Sequence, residues 1–523
     1  MSLVKKFVIV ASGTMVSRIF GFIREMLMAI ALGTGPVADA FNAAFRFPNT
    51  FRRLFAEGAF NSAFVPLFTK EIEKGAETAQ KFSEEVFGVL FSILLVMTII
   101  IELSMPFLMT YVIAPGFTAD AGKFEMTGRL AAIMFPYLTC MSLAAMMGSM
   151  LNSLHRYFPV AIAPIFLNII LIGVLIWAWF AKLDASNIGL ALSWGVMAAG
   201  VIQLLIVWIA VRNAGMKIGL RMPHFTSNIR HLLVLALPAA ITGGITQINL
   251  LINISIASTD AGAVSSLVYA DRFYQLPLGV IGIAVATVLL PELSCALRGG
   301  KLKKAHALQN RSVELTLFLS LPSAAAFLVI SEPIVRLLFE HGQFDVHATA
   351  VVSSILAVYG LGLPAFVLIK AFIPSFFARE DTRTPMIFAG ISAAVNVSLA
   401  TMLFPFLSAK GIAIAEITAG WVNAILLFLM LARRGHWSSD RTLLKRIPIF
   451  LISSAVMVLV LSSAISHLAW PLSSAAPLTM RFFTTVALML GAMAVYFGMV
   501  FLSGGAPLSM IRKNLVSKEE KIK

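Results

Sequence analysis

Long apolar stretches alternate with short polar or charged connections along the whole chain. A helix that crosses a bilayer needs about 20 mainly apolar residues, and fourteen stretches reach that length. The second and the eighth are polar for membrane helices, so we expect them to line protein or water rather than lipid. The pattern predicts an all-α polytopic membrane protein with fourteen transmembrane helices. They span residues 7–32, 38–69, 86–112, 127–150, 158–180, 188–211, 231–256, 265–296, 312–333, 350–376, 385–406, 411–432, 447–467 and 480–503.

Composition supports a membrane location. Hydrophobic residues make up 59% of the 523 residues and charged residues only 12%, about half the usual share in soluble proteins. So little charge cannot cover a soluble surface of this size, whereas lipid can solvate the apolar excess.

The distribution of basic residues predicts the orientation. If the N-terminus is cytoplasmic, the cytoplasmic connections and both tails hold 27 of the 40 Lys and Arg, and the opposite side holds six. Cytoplasmic loops of membrane proteins carry such an excess. We therefore expect a multi-pass membrane protein with both termini in the cytoplasm. The net charge of +15 then needs no nucleic-acid partner, and anionic membrane lipids are the expected contacts of the basic loops.

Seven cations remain inside the predicted helices. A cation at the bilayer centre costs about 2.5–3.5 kcal/mol on insertion scales, so each needs a reason. Pairing with a neighbouring acid, as in Arg24 beside Glu25, is one explanation. It fails for the whole set, because the buried acids are fewer than the arginines. Arginine matches phosphate oxygens and does not lose its charge on burial. The excess predicts a water-filled cavity that accepts a phosphate-bearing substrate. The seven are Arg18, Arg24, Arg46, Arg52, Arg53, Arg272 and Lys370.

In the second predicted helix, helical phase leaves open whether Arg52 or Arg53 points toward the expected cavity. On an ideal helix Asp39, Arg53 and Glu57 share a face, and Arg52 lies well round from it. Pro48 interrupts this helix, and a kink there would change the phase.

Two blocks of sequence resemble the MurJ (MviN) family of lipid II flippases, which belongs to the multidrug/oligosaccharidyl-lipid/polysaccharide exporter superfamily. The first runs from Ser17-Arg18 and Gly21-Phe22-Ile23-Arg24 through Ala38-Asp39-Ala40-Phe41 and Pro48-Asn49 to Arg52-Arg53-Leu54-Phe55-Ala56-Glu57-Gly58. The second is Tyr269-Ala270-Asp271-Arg272-Phe273 with Pro277-Leu278-Gly279 and Leu290-Pro291-Glu292-Leu293. The resemblance extends in order through nearly the whole chain.

The resemblance implies two six-helix lobes around a central cavity, with two C-terminal helices that form a groove for a lipid tail. The expected division is an N-terminal lobe at 1–211, a cytoplasmic linker at 212–230 and a C-terminal lobe at 231–432. The last two helices follow at 447–503, with a basic cytoplasmic tail at 504–523.

The family's functional positions carry over onto Arg18, Arg24, Arg52 and Arg272, and an acidic position onto Asp39. Arg53 and Glu57 are secondary candidates because helical phase favours them. The resemblance implies translocation of lipid II, an undecaprenyl-diphosphate-linked disaccharide peptide, from the cytoplasmic to the periplasmic leaflet by alternating access, for cell-wall synthesis. The resemblance also implies a location in the bacterial inner (cytoplasmic) membrane. We expect a monomer that works near cell-wall synthases.

Two alternatives remain open at this point. Another polyprenyl-diphosphate-linked glycan would need the same kind of cationic site. A membrane-embedded glycan transferase is less favoured, because the short external loops carry no paired carboxylates or histidine cluster. Drug exporters of the same superfamily would favour an acidic cavity for cationic compounds.

We expect no enzyme activity, no metal and no cofactor. Sodium has been proposed for some family members, and the polar candidates here are Asn249, Asn253 and Asn396, without a cluster of buried acids. Coupling to the membrane potential or to a monovalent cation stays open.

Overall fold

Helices dominate the computed structural model, which describes residues 3–53, 60–219, 221–223 and 225–505. Their bounds are α1 Leu3–Leu32, α2 Pro36–Arg52, α3 Phe60–Lys74, α4 Ala76–Leu103, α5 Met105–Leu108, α6 Ala121–Met134, α7 Tyr137–Ser153, α8 Phe158–Phe180, α9 Ala185–Asn213, α10 Ser227–Ala257, α11 Ala263–Arg298, α12 Leu302–Phe339, α13 Val346–Phe377, α14 Arg383–Arg433, α15 Arg441–His467 and α16 Leu478–Leu502. A π-helical turn at Met109–Ile113 and a 3₁₀ turn at Pro115–Ala119 follow α5.

The all-α membrane fold is confirmed. Among the described residues, nine helices are long and apolar enough to cross a membrane. The longest, α14, contains both the eleventh and the twelfth predicted spans, and Ser408 breaks it with a left-handed φ of 49°. A run of helix is therefore not always one crossing, and the count of fourteen stays a prediction. Pro48 does not end α2, which continues to Arg52.

The chain forms two compact units. The first contains 1–272, 339–348 and 393–415, and the second contains 273–338, 349–392 and 416–523. The division into lobes given above remains a prediction.

The first unit packs α1 against α8. Gly13 of α1 faces Ala161 of α8 so closely that a Cβ on Gly13 would lie 2.9 Å from the Ala161 Cβ. Small residues permit such close approach of membrane helices, where van der Waals packing replaces the hydrophobic effect as the main attraction. α1 is thereby held at a fixed position along α8.

In the second unit, three polar contacts attach α15, α16 and their connection to α12. Arg446 of α15 pairs with the buried Glu314. The Tyr496 hydroxyl of α16 donates to the Phe318 carbonyl at 2.9 Å. Arg336 donates to the Leu472 carbonyl, also at 2.9 Å. Phe318 additionally packs against Phe450 and Phe497, so apolar packing accompanies these contacts.

Candidate functional site

Glu25 connects two of the expected arginines. Its side chain is 2% exposed, Arg24 Nη2 pairs with its Oε1, and Arg272 Nε donates to the same oxygen at 3.0 Å. The two guanidinium groups thus share one carboxylate, although Glu25 and Arg272 are 247 positions apart. The trio of side chains carries one net positive charge.

Asn168 of α8 fixes the other side of Arg24. Arg24 Nη1 donates to Asn168 Oδ1 at 3.0 Å, and Asn168 Nδ2 donates to the Ser17 carbonyl at 3.1 Å. A Cβ on Gly21 would lie 3.7 Å from the terminal atoms of this amide, in ordinary van der Waals contact, so α1 passes directly beside Asn168. Asn168 therefore orients Arg24 from a second helix.

Arg18 extends the positive charge along α1. Its side chain is half-buried and interacts electrostatically with Arg272. The structure thus places Arg24 and Arg272 on one glutamate and Arg18 near Arg272, and such a group of guanidinium groups can bind an anion. Within the described ranges, two buried atoms of this group have no hydrogen-bond partner, Arg24 Nε and Glu25 Oε2. They can still bond to a ligand or to water.

Asp39 belongs to a different contact. Its buried carboxylate accepts from Lys123 Nζ at 2.7 Å, and also from the Gly262 amide and the Ser265 amide and hydroxyl at 2.8–2.9 Å. Gly262 and Ser265 stand at the start of α11, where unpaired amides attract negative charge. Asp39 therefore caps α11 from α2, and its cationic partner is Lys123 rather than an arginine.

Lys123 lies between the third and fourth predicted spans, in a connection on the side opposite the cytoplasm. It is 9% exposed, and its ammonium lies 3.9 Å from the centroid of the Phe117 ring. A buried lysine needs a counter-charge, but the sequence does not show that this partner is Asp39, 84 positions away.

One face of α11 carries three contacts to the first two helices and the turn between them. Ser265, Tyr269 and Arg272 follow the i, i+4, i+7 spacing that places side chains on one side of a helix. Ser265 bonds to Asp39, the Tyr269 hydroxyl donates to the Gly33 carbonyl at 3.0 Å, and Arg272 bonds to Glu25. We call Ser265, Tyr269 and Arg272 the α11 stripe. Its spacing is visible in the sequence, but serine and tyrosine in a helix carry no signal of function by themselves.

The remaining candidates lie at the end of α2. Arg52 Nε donates to Asn49 Oδ1 of the same helix at 2.9 Å, and Arg53 follows directly and is half-buried. Glu57 lies outside the described residues. That Arg52 faces a cavity, with Arg53 as the secondary candidate, stays a prediction.

The three asparagines considered for a cation do meet. Asn396 Nδ2 donates to Asn253 Oδ1 at 2.7 Å and to Asn249 Oδ1 at 3.0 Å. The described part of the chain contains no group of three or more His, Cys, Asp or Glu that could hold a metal ion.

Comparison with known proteins identifies the family. A family model described as "Lipid II flippase MurJ" matches residues 28–488. The chain belongs to the MurJ family. This confirms the resemblance drawn from the two sequence blocks.

Curated MurJ relatives align over almost the full length. A protein named "Probable lipid II flippase MurJ" from Rhizobium meliloti (strain 1021) is 69% identical, covering 98% of this chain and 96% of the relative. Its namesake from Rhizobium tropici is 57% identical, covering 99% and 97%.

Solved structures agree with the MurJ assignment. A lipid II flippase MurJ in an inward closed conformation matches with a TM-score of 0.76 and 25% identity, over 94% of this chain and all of that one. An inward-facing MATE-family multidrug transporter of the MOP superfamily matches with a TM-score of 0.68 and 15% identity, over 82% and 98%. The MATE match shows the shared fold alone.

Proposed function

We propose that this chain translocates lipid II across the cytoplasmic membrane for peptidoglycan synthesis, and that Arg24 and Arg272 bind its diphosphate. Membership of the MurJ family supports the substrate. The observation that supports the site is the single carboxylate of Glu25, which both arginines share.

Glu25 prepares the site for an anion. Without a carboxylate, two guanidinium groups this close would repel each other and pay a large cost for burial. A diphosphate offers more acceptor oxygens than Glu25 and can bond to both guanidinium groups at once. We infer that the diphosphate takes over the arginine contacts, with Arg18 adding attraction along α1.

The α11 stripe would couple binding to movement. Arg272 is its substrate end, while Ser265 and Tyr269 are bonded to Asp39 and Gly33. Transfer of Arg272 from Glu25 to the diphosphate removes one of three contacts that hold this face. Alternating access then requires that the contacts of Ser265 and Tyr269 also break. The head group of lipid II is then exposed on the periplasmic side.

Several finer points belong to the same proposal. The substrate moves from the cytoplasmic to the periplasmic leaflet, both termini are cytoplasmic, and the protein acts as a monomer near cell-wall synthases. The chain carries out no catalytic step and uses no cofactor. The membrane potential can drive the return of the protein to its starting conformation. Moving one charge across the membrane is worth about 2.3 kcal/mol per 100 mV.

The test is a substrate-accessibility assay in cells depleted of their own flippase. We expect this chain to make newly synthesised lipid II cleavable by an external toxin that degrades lipid II. Arg24→Ala and Arg272→Ala should lose at least tenfold in exposure at equal abundance, since each removes charge-assisted hydrogen bonds of about 1.5–3 kcal/mol.

Lys81→Ala is the matched control, because Lys81 forms an exposed ion pair with Glu77 away from the site. Failure of the well-expressed wild-type chain would refute lipid II as the substrate and favour another polyprenyl-linked glycan. Full activity of both arginine variants would refute the site and leave the substrate standing.

A further inference from the structure

A crevice lies where α1 and α8 end and α9 begins, within the first unit. Its volume is about 880 Å³, in the range of about 300–1,000 Å³ that is usual for small-molecule sites. The walls include Ile30, Leu175, Ile176 and Ile188, and the polar side chains among the lining residues are Lys182 and Gln343. The crevice therefore suits an apolar chain with an anionic end.

The mouth of the crevice faces the outside of the helix bundle. Ile176 is 45% exposed, and the lining residues Trp179 and Phe180 are 76% and 73% exposed. Such large apolar side chains on a membrane-spanning helix contact lipid. Tryptophan at the end of a span marks the interface between the acyl chains and the head groups. The crevice thus begins at head-group depth and continues toward the acyl chains.

Lys182 places a positive charge at this mouth. It occupies the turn after α8 with φ of 50°, a left-handed conformation that costs most residues other than glycine about 1–2 kcal/mol. A lysine at a helix C-terminus also interacts favourably with the helix dipole, but the dipole alone does not explain why a lysine lines this cavity.

We propose that the crevice binds one anionic phospholipid, with its phosphate on Lys182 and one acyl chain between α1, α8 and α9. A zwitterionic lipid neutralises its own phosphate, whereas an anionic lipid has a net charge left for the lysine. A partner helix is a poorer occupant, because it is about 10 Å wide with its side chains and needs a broad face. This site is separate from the arginines that bind the diphosphate.

The bound chain would support a contact between α1 and the connection after α12. Gly342 and Gln343 line the inner wall of the crevice, and the Gln343 amide donates to the Ile30 carbonyl at 2.9 Å. A Cβ on Gly342 would lie only 2.4 Å from that carbonyl oxygen, so the backbones touch. A lipid packed beside Ile30 shields this hydrogen bond from competition.

The test is a lipid titration of the full-length protein in nanodiscs, read by native mass spectrometry and by quenching from acyl-brominated lipids. We expect one phosphatidylglycerol retained in preference to phosphatidylcholine, and quenching that decreases in Trp179→Phe. Lys182→Asn, which tolerates a left-handed turn, should weaken phosphatidylglycerol binding about fivefold, as expected for one lysine near the membrane surface. It should not change phosphatidylcholine binding.

Two further variants make the result decisive. Ile176→Trp narrows the mouth and should reduce retention of both lipids, while Lys410→Asn, at another exposed lysine, should change neither. Equal binding of the two lipids, unaffected by Lys182→Asn, would overturn the proposal. So would displacement of phosphatidylglycerol by a polyprenyl phosphate at much lower concentration, because the occupant would then be a prenyl lipid.

Discussion

At the scale of single residues, the least replaceable side chain of the site is an acid. Glu25 is buried and contacts two arginines, so its removal leaves two cations without their shared counter-charge. In the sequence, Glu25 stands out only as the neighbour of Arg24. Arg272 comes from another part of the chain, so folding alone gives Glu25 its second partner.

Glu25→Gln should destabilise the protein by about 3 kcal/mol, because breaking a buried ion pair from one side costs about 3–5 kcal/mol. The measurement is thermal unfolding in detergent by tryptophan fluorescence. Glu77→Gln, which removes an exposed pair, should leave the unfolding temperature close to that of the wild type, because surface ion pairs contribute little to stability. If Glu25→Gln unfolds at the wild-type temperature, Glu25 does not balance the two arginines. In a double-mutant cycle, Glu25→Gln and Arg272→Gln should be less than additive.

A second residue-scale prediction concerns pH. Burial lowers the pKa of His436, and the charges of Arg379, Arg434 and His306 lower it further, against the opposing effect of Asp381. The folded protein thus favours neutral His436. Its contribution to stability is complete above the usual pKa of about 6.5 and is lost as the pH falls from there through the lowered pKa.

We expect His436→Gln to reduce the loss of thermal stability between about pH 7 and pH 5. Asp381 does not interfere in this window. Burial raises its pKa, but hydrogen bonds from Thr384 and Arg434 and the Arg434 charge outweigh burial and hold the pKa at about 2. His467→Gln is the control because His467 is exposed. An unchanged pH profile in His436→Gln would contradict the assignment.

At the scale of elements, the α11 stripe holds α11 against the first two helices and the turn between them. The connection before α11 also touches the turn between α1 and α2. A Cβ on Gly262 would lie 3.5 Å from the Thr34 Cβ, within the range of about 3.5–4.5 Å for a disulfide. The two turns can therefore be linked covalently.

Thr34→Cys with Gly262→Cys, in a chain with Cys140 and Cys295 replaced by Ser, should form a disulfide on oxidation and stop lipid II exposure. Reduction should restore activity, because the lock acts on a movement rather than on the substrate site. The left-handed φ of Gly262, 78°, adds strain of about 1–2 kcal/mol for cysteine. The checks are a maleimide gel shift and the toxin assay, with Thr34→Cys alone as control. Wild-type activity of the crosslinked protein would refute the need for separation.

At the scale of the whole molecule, the charge pattern predicts which connections face the cytoplasm. In intact cells, cysteines placed at Asp184 and Ser474 should react with a membrane-impermeant maleimide. Cysteines at Lys303 and Ser439 should react only after permeabilisation, because basic connections stay in the cytoplasm. All four positions are exposed, so burial does not explain a difference. The reverse labelling would invert the topology and with it the direction of transport.

Much of this protein follows from its sequence. The apolar runs predict a helical membrane protein because lipid solvates apolar side chains. In lipid, a helix satisfies its backbone hydrogen bonds internally. The excess of arginines in the first helices predicts an anionic substrate because each buried charge needs a partner. The two motif blocks identify the MurJ family, which the family model and the relatives confirm.

Only the tertiary structure shows which groups meet. Arg272 joins Glu25, Lys123 joins Asp39, and Asn168 joins Arg24 across separations of 84 to 247 positions. Helical periodicity fixes the face on which a residue lies, but it does not fix which other helix meets that face. That choice depends on close backbone approaches such as Gly13 to Ala161, and the packing of the whole chain determines these approaches.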